Sequence, residues 1–359
     1  TNLCLVITPP VNASRVMYWD ITPASANAQG GSGIWGASSN TWLPGGTGSG
    51  NEVWDNSKRD KMYFPRPGTG PYTVRVDIAV ATNSGLRMSD ASNFGYVMEG
   101  TGVLSLVGKS QNVFIEPSGA SMTLSTPLIV ADQPLTKVGA GYLILNGPSI
   151  GSTNGIQVAQ GRLVVGAGGT GGELGGGVVT LLEGGRELIF NRSSYAITNP
   201  ISGGQTYFTN TGGGYAWAAG ATQDFAVLRN SLVVTQQSAA LVFTNYLRID
   251  SSNTEIPSFV AEGGSLNAKL IDVGYGTRTS RFVVSGNALV QTPQLNIGYA
   301  NSPSTAGHMT LSNGTVEVAT QMFLGRSGGG GTAPCSLTLA GGTLAFGAAS
   351  YLIQDNGFW

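Results

Sequence analysis

The chain has 359 residues, and only 10% of them are charged: 18 basic and 19 acidic side chains give a formal net charge of −1. Without a cluster of cations the sequence argues against nucleic acid as a partner, and without an apolar run of about 18 residues it predicts no membrane-spanning segment. Its 55 glycines are about twice the usual share, yet a hydrophobic fraction of 41% is too high for a disordered chain, so the protein should fold.

The N-terminus begins with an apolar segment made of Leu3, Cys4, Leu5, Val6 and Ile7, which we expect to form a loose strand. Because the chain starts at Thr1 and lacks a charged region followed by an apolar one, we expect any signal segment to have been removed. Its two cysteines, Cys4 and Cys335, are expected either as buried free thiols or as a disulfide within or between chains. Their distance along the sequence does not decide between these alternatives.

A tryptophan-rich region follows, with Trp19, Trp35, Trp42 and Trp54 inside 36 positions. So many large apolar side chains close together favour a buried capping core, while an exposed platform for sugars is the alternative. A cap of this kind would cover the open edge of a stacked β-fold.

The next stretches alternate apolar and polar residues with a period of two, and no helical periodicity is visible. The clearest examples are residues 72–80, 103–107, 142–145 and 336–340. Each is short and bounded by Gly, Asn, Ser or Pro, which supply turns. This pattern predicts an all-β protein.

The segment LTKVGAGYLILNG, residues 135–147, is followed by two further short strands up to residue 166. It resembles the autotransporter-associated β-strand repeat, a motif of secreted bacterial passenger domains. The matching residues are Leu135, Lys137, Gly139, Gly141, Leu143, Leu145, Gly147, Val158, Gly161 and Leu163. Departures from the motif are Tyr142 in place of the usual Thr and a different turn at residues 148–151.

The resemblance implies a right-handed parallel β-helix on the bacterial cell surface or outside the cell, with a structural, adhesive or scaffold function and no enzymatic activity. Within the segment itself we expect the leucines to point inward, the glycines to lie at the corners, and Lys137 to extend into solvent.

The C-terminal third contains three similar segments and a shorter earlier copy around Leu266. One equivalent position of the three segments is occupied by Gly274, Gly298 and Gly325. Another is occupied by Leu289, Val316 and Leu344, at successive distances of 27 and 28 residues. Such a period with strands and no helix predicts a β-solenoid, in which each repeat forms one coil. We assign residues 1–70 to the N-terminal strand and cap and residues 71–359 to the solenoid, with recognisable coils at 135–166 and 261–349.

Residues suited to catalysis are few. His308 is the single histidine and is expected in a solvated loop, and the G-x-G-x-x-G pattern at residues 166–171 lacks the helix of a nucleotide site. The carboxylates that a glycan-cleaving β-helix enzyme would need are sought among Glu183, Glu187, Asp250, Glu255 and Asp272, with Arg278 and Arg281 as cations. No spacing predicts a metal site. We therefore expect no enzyme, catalytic residue, metal or cofactor.

Two functions fit the sequence better. The first is a self-assembling subunit of an extracellular fibre, sheath or layer, whose partner is a second copy; its candidate contact residues are Leu3, Cys4, Leu5, Val6, Ile7, Cys335, Phe358 and Trp359. The alternative is an adhesin that binds surface glycans through Tyr275 and Tyr299, which follow corresponding glycines in successive coils. A polysaccharide lyase or hydrolase is the third alternative.

Overall fold

The computed structural model describes residues 15–48, 50–66, 68, 70–83, 85–89, 94–108, 111–148, 150–151, 153–182, 185–210, 213–229, 233–250, 256–276, 279–298, 306–325 and 335–354. These residues form strands and turns and contain no helix. The described part of the chain therefore has no helix that could cross a membrane. The chain divides into two compact units: unit 1 is Thr1–Leu143 with Gly147–Asn154, and unit 2 is Ile144–Asn146 with Gly155–Trp359. The division predicted at residue 70 stays a prediction.

Unit 1 consists of short strands, almost all in parallel pairs. They are β1 (Val16–Trp19), β2 (Gly33–Trp35), β3 (Asn40–Pro44), β4 (Glu52–Val53), β5 (Lys61–Tyr63), β6 (Tyr72–Val76), β7 (Val80–Thr82), β8 (Leu86–Met88), β9 (Gly95–Glu99), β10 (Leu104–Leu106), β11 (Asn112–Ile115), β12 (Ser121–Leu124), β13 (Leu128–Val130), β14 (Leu135–Val138) and β16 (Ile150–Gly151), while β15 (Tyr142–Leu145) spans the division between the units.

Three parallel stacks make up the coils of unit 1: β1-β5-β8-β11-β14, β2-β6-β9-β12 and β7-β10-β13-β16. Leu104 lies beside both Val80 and Leu128, which are 24 residues before and after it in the chain. Two pairs near the N-terminus are antiparallel: β3 pairs with β1 and also with β4. A parallel β-solenoid with one strand of each stack per coil is therefore the fold of this unit.

The N-terminal tryptophans form a buried cluster in unit 1. Trp19, Trp35 and Trp42 are 0% exposed and Trp54 is 7% exposed. The rings of Trp35 and Trp42 lie 4.5 Å apart, and the Trp19 indole N–H donates to the carbonyl oxygen of Gly31 over 2.8 Å. The predicted buried core is confirmed, whereas the alternative of an exposed sugar platform made of these tryptophans is wrong because their side chains are buried against one another.

Lys137 is buried, so its expected position in solvent is wrong. Its side chain is 0% exposed and lies in the inward column of β14, next to Val113 of β11. The ammonium nitrogen donates to the carbonyl oxygens of Val138 (3.0 Å) and Gly139 (2.6 Å), and burial lowers the pKa of Lys137 to about 7. With Leu135 inward, the two-residue period of a strand places Lys137 inward as well.

Unit 2 contains the remaining strands. They are β17 (Ile156–Val158), β18 (Arg162–Val165), β19 (Val179–Leu181), β20 (Glu187–Phe190), β21 (Ser194–Ile197), β22 (Ile201–Ser202), β23 (Gln205–Phe208), β24 (Gly214–Trp217), β25 (Ala221–Arg229), β26 (Val233–Gln236), β27 (Ala240–Asp250), β28 (Ser258–Ala261), β29 (Ser265–Val273), β30 (Thr279–Val284), β31 (Leu289–Ile297), β32 (Ala306–Leu311), β33 (Thr315–Leu324), β34 (Cys335–Leu339), β35 (Thr343–Phe346) and β36 (Tyr351–Gln354).

These strands also stack in parallel. One stack is β21-β24-β26-β28-β30-β32-β34; the other two begin as β17-β19-β22 and β18-β20-β23. From β25 to β33 the latter two stacks share one long strand per coil, bent at a register shift such as the one between Gln223 and Phe225. In the last described coil they are again separate strands, β35 and β36. Apolar side chains fill the interior, so unit 2 is a parallel β-solenoid too.

The predicted C-terminal repeats are confirmed with one shift of register. Gly274, Gly298 and Gly325 follow residues that are paired across β29, β31 and β33, and all three have φ between +73° and +80°, which favours glycine. Leu344 pairs with Val316 as expected, but the partner of Val316 in the preceding coil is Val290 and not Leu289. A shift of one residue moves a side chain to the other face of the sheet.

This register can be tested by truncating neighbouring side chains. Val290→Ala is expected to lower the free energy of unfolding by about 2–3 kcal/mol because Val290 is buried, and Leu289→Ala by less than about 1 kcal/mol because Leu289 is half-exposed. Urea denaturation of both variants measures the difference. The reverse order would contradict the observed register.

Candidate functional site

One outward face of unit 2 concentrates aromatic and hydrogen-bonding side chains in a protein with little charge. We call this set the outer row; it lies on the stack that runs from β23 through the C-terminal halves of β25, β27, β29, β31 and β33 to β36. Its members are Tyr207, Phe225, Tyr246, Arg248, Asp272, Tyr275, Gln294, Asn296, Gln321 and Tyr351.

Aromatic rings occupy the first half of the outer row. Phe225 and Tyr246 are stacked with centroids 4.5 Å apart and planes at 13°, and Tyr207 meets Phe225 edge to face at 5.8 Å. The guanidinium carbon of Arg248 lies 4.5 Å from the Tyr246 ring centroid and 3.5 Å from that of Tyr275. Cation–π contacts and ring stacking thus fix these side chains in place.

Burial raises the pKa of Tyr207 and of Tyr246, with a smaller contribution to Tyr207 from nearby Glu187. The two phenols therefore keep their protons at neutral pH and can donate hydrogen bonds. Arg229 lies over the Tyr207 ring at 5.3 Å and extends the cationic part of the face.

Hydrogen bonds connect the second half of the outer row in one direction. Tyr351 donates to Gln321 (3.2 Å), Gln321 to Gln294 (2.8 Å), Gln294 to Asn296 (3.0 Å) and Asn296 to Asp272 (2.7 Å). Arg248 binds the other carboxylate oxygen of Asp272 at 3.4 Å. Because a carboxylate only accepts hydrogen bonds, Asp272 fixes the orientation of each amide in turn.

Only one of the two tyrosines of the predicted sugar platform is among the described residues. Tyr275 belongs to the outer row, while Tyr299 lies outside the described residues. The Tyr275 ring contacts the guanidinium group of Arg248. The ladder of Tyr275 and Tyr299 stays a prediction. Tyr207, Phe225 and Tyr246 were missed because they precede the repeats that sequence comparison could align.

Two candidate carboxylates of a glycan-cleaving enzyme, Glu187 and Asp272, are engaged in other contacts. Glu187 forms an ion pair with Arg162 at 2.7 Å, and Asp272 is 2% exposed in the network just described. Burial raises the pKa of Asp250. Glu183, Glu255 and Arg278 lie outside the described residues. Within the part of the chain that the structure covers, no three His, Cys, Asp or Glu side chains are grouped as metal ligands.

His308 lies on strand β32 and not in the expected loop. Its Nδ1 is 2.7 Å from the hydroxyl of Ser336 on the next coil, and its neighbour on the preceding coil is Arg281. Burial, and next the charge of Arg281, lower the pKa of His308. A cation at this place is opposite in charge to the carboxylate that orients histidine in a catalytic triad.

The glycine-rich segment at residues 166–172 surrounds a guanidinium group. Arg192 donates to the carbonyl oxygens of Thr170 and Gly172 and lies over the Tyr195 ring at 4.5 Å. Nucleotide-binding loops present backbone N–H groups to phosphate, whereas this segment presents carbonyl groups to a cation. Beside it, a shallow groove of about 890 Å³ carries Glu173 and Glu262.

Comparison with known proteins gives one informative similarity. No family model matches the chain, and no solved structure matches it significantly. Over 334 residues, 90% of its length, the chain is 26% identical to the adhesin BmaC autotransporter of Brucella suis biovar 1 (strain 1330). The chain spans only 9% of the length of that protein. Together with the parallel β-solenoid, this similarity confirms the resemblance to passenger-type β-helix proteins.

Proposed function

We propose that this chain is an adhesive module of a bacterial cell-surface or secreted protein, and that it binds glycans through the outer row of unit 2. The observation that carries the proposal is the concentration of tyrosine, arginine and amide side chains on one face of a protein with 10% charged residues. Tyrosine and arginine, together with tryptophan, are enriched among the residues that dominate binding energy at protein–protein interfaces. The similarity to an autotransporter adhesin supports the same function.

The physical basis is preorganisation. Stacking holds Phe225 against Tyr246, and hydrogen bonds hold Gln294 against Gln321, so little side-chain entropy remains to be lost on binding. Coils repeat about every 4.8 Å along a parallel stack, so the half-exposed Gln294 and Gln321 and the exposed Tyr351 offer amide and hydroxyl groups at this spacing to an extended chain of sugars. Each contact is weak, and several contacts together give useful avidity.

Replacing both rings that enclose Arg248 tests the proposal. The double variant Tyr246→Ala/Tyr275→Ala is expected to bind at least about tenfold more weakly to the glycans that the wild type selects on a glycan array. Tyr142→Ala is the control, since Tyr142 is a half-exposed tyrosine outside the row. Thermal unfolding of each variant checks that the fold is retained.

Unchanged binding by the folded double variant would rule out the outer row as the contact surface. If the wild-type protein binds no glycan on the array but adheres to cells stripped of surface glycans, its ligand is not a sugar.

A self-assembling fibre subunit is the second candidate, favoured by the low charge, which allows copies to approach without strong repulsion. Of its predicted contact residues, only Cys335 is described; the N-terminal strand, Cys4, Phe358 and Trp359 are not. Cys335 is half-buried, and burial raises the pKa of its thiol, which slows disulfide formation at neutral pH. Electron microscopy of concentrated protein under oxidising conditions tests this candidate: fibres support it and dispersed monomers contradict it.

A further inference from the structure

We infer that unit 1 contains a separate binding pocket for a six-membered sugar ring that carries a carboxylate. The pocket, named here the Gly85 pocket, lies on the outward side of β1, β5, β8 and β11 and has a volume of about 600 Å³. The lining residues that carry the inference are Tyr18, Lys61, Tyr63, Gly85, Arg87, Ser89 and Asn112. This site is distinct from the outer row, and the inference does not rest on the function proposed for unit 2.

Gly85 leaves one position of the outward column without a side chain. In the outward column of these strands Gly85 lies between Lys61 and Asn112, because the neighbouring residues Met62, Leu86 and Val113 are paired in register. Gly85 has φ +79°, and a Cβ there would lie 1.7 Å from the carbonyl oxygen of Asn112. Only glycine fits this backbone, so the gap in the side-chain layer is built into the fold.

Rigid aromatic rings form one wall. The centroids of the Tyr18 and Tyr63 rings are 4.4 Å apart, and a Cβ at Gly46 would lie 2.9 Å from the Tyr18 ring. The Tyr18 ring is therefore held closely between Tyr63 and Gly46. The hydroxyl of Tyr63 is hydrogen-bonded to that of Ser89 at 2.7 Å. The two ring planes are inclined by 41°, and each ring is apolar on its face and polar at its hydroxyl. This combination suits a sugar ring, which has C–H groups on its faces and hydroxyls around it.

Two cations give the pocket its charge. Lys61 is exposed and forms no ion pair with any described residue. Arg87 has a side chain that is 53% exposed; one nitrogen contacts Glu116 at 2.7 Å, and the guanidinium group lies 5.8 Å from the Phe114 ring centroid. A guanidinium carries five N–H donors, so one ion pair leaves donors for a ligand. The charged side chains of the described lining are Lys61 and Arg87, and both can donate hydrogen bonds to a carboxylate.

The volume of the pocket favours a sugar acid over a small inorganic anion. A volume of about 600 Å³ is far larger than an inorganic anion needs and lies within the range of small-molecule sites. The amide of Asn112 and the hydroxyl of Ser89 supply hydrogen-bonding groups for sugar hydroxyls. A hexuronate and a sialic acid share this chemistry of a hydroxylated ring with one carboxylate, and they come from different polysaccharides.

Titration calorimetry on the whole chain tests the inference with four probes: tetragalacturonate and 3′-sialyllactose as acidic saccharides, and maltotetraose and lactose as neutral controls. We expect at least one acidic probe to bind, neither neutral probe to do so, and the affinity to fall as salt is raised from about 0.05 to about 0.5 M. Which acidic probe binds distinguishes the source of the ligand.

Charge removal within the pocket gives the matched comparison. Lys61→Gln/Arg87→Gln is expected to weaken acidic-saccharide binding by about tenfold or more. Arg75→Gln, which removes an exposed arginine paired with Asp77 elsewhere in unit 1, is expected to bind like the wild type. The outer-row variant Tyr246→Ala/Tyr275→Ala is also expected to bind these probes normally, which separates the two sites.

Three results would each overturn the inference. They are no acidic probe binding at concentrations up to about 10 mM, equal binding of the neutral probes by the folded Tyr246→Ala/Tyr275→Ala variant, or unchanged affinity in the folded Lys61→Gln/Arg87→Gln variant.

Discussion

The stability of the wild-type protein relative to Lys137→Met is expected to rise with pH, by about 1.4 kcal/mol per pH unit between pH 7 and pH 10. The cause is the buried ammonium group of Lys137, whose pKa is lowered from 10.5 to about 7. In that window the unfolded chain carries a proton on Lys137 and the folded chain does not, so raising the pH removes a cost of folding. Over the whole window the change is on the order of 4 kcal/mol.

Below pH 7 the lysine is protonated in both states, and the difference between wild type and variant should become constant. At high pH the wild type should be the more stable of the two, because its neutral amine still donates to the carbonyl oxygens of Val138 and Gly139, which methionine leaves without this donor. The effect of tyrosine ionisation is common to both proteins and cancels in the difference.

Urea denaturation at several pH values measures this effect in the transition of unit 1. Lys61→Met provides the control, because it makes the same chemical change at an exposed lysine on the same stack. Parallel pH profiles for wild type and Lys137→Met would show that the amine is not buried in the folded protein.

The second large effect is expected at Asp272. Asp272→Ala should lower the free energy of unfolding of unit 2 by about 3 kcal/mol, since it leaves Arg248 largely buried without its carboxylate partner. The change also removes the acceptor at the end of the hydrogen-bond chain that begins at Tyr351, so the orientation of Asn296 is no longer fixed. Chemical denaturation monitored by circular dichroism measures the loss.

A double-mutant cycle separates the ion pair from other effects. Arg248→Met combined with Asp272→Ala is expected to cost clearly less than the sum of the two single changes, because the second change removes a charge already left without its partner. Glu317→Ala is the control: this exposed carboxylate accepts one hydrogen bond from Gln291 and should contribute less than about 1 kcal/mol. Simple additivity at Arg248 and Asp272 would contradict a coupled pair.

Several features of the fold could be predicted from residue patterns alone. Alternation with a period of two located strands such as β15, and the repeated glycines located the coil corners at Gly274, Gly298 and Gly325. Both signals are local, because a strand's side chains alternate and only glycine readily adopts a positive φ. The resemblance at residues 135–166 added the expectation of a passenger-type β-helix.

Other features depend on contacts between coils. Leu289 and Val290 are both apolar, so only pairing with Val316 decides which of them is inward. The outer row joins residues from Tyr207 to Tyr351, and no single segment contains enough of it to be recognised.

The residues alone were enough to predict the all-β class, the solenoid, the buried tryptophans and the low charge, since each follows from local conformational preference or composition. Contacts between coils decided the pairing of Arg248 with Asp272, the gap at Gly85 and the lowered pKa of Lys137, whose inward position already follows from the two-residue period. The physical reason is that parallel stacking places residues some 24 positions apart next to each other. Solvation and charge at each position are therefore set by the coils above and below it.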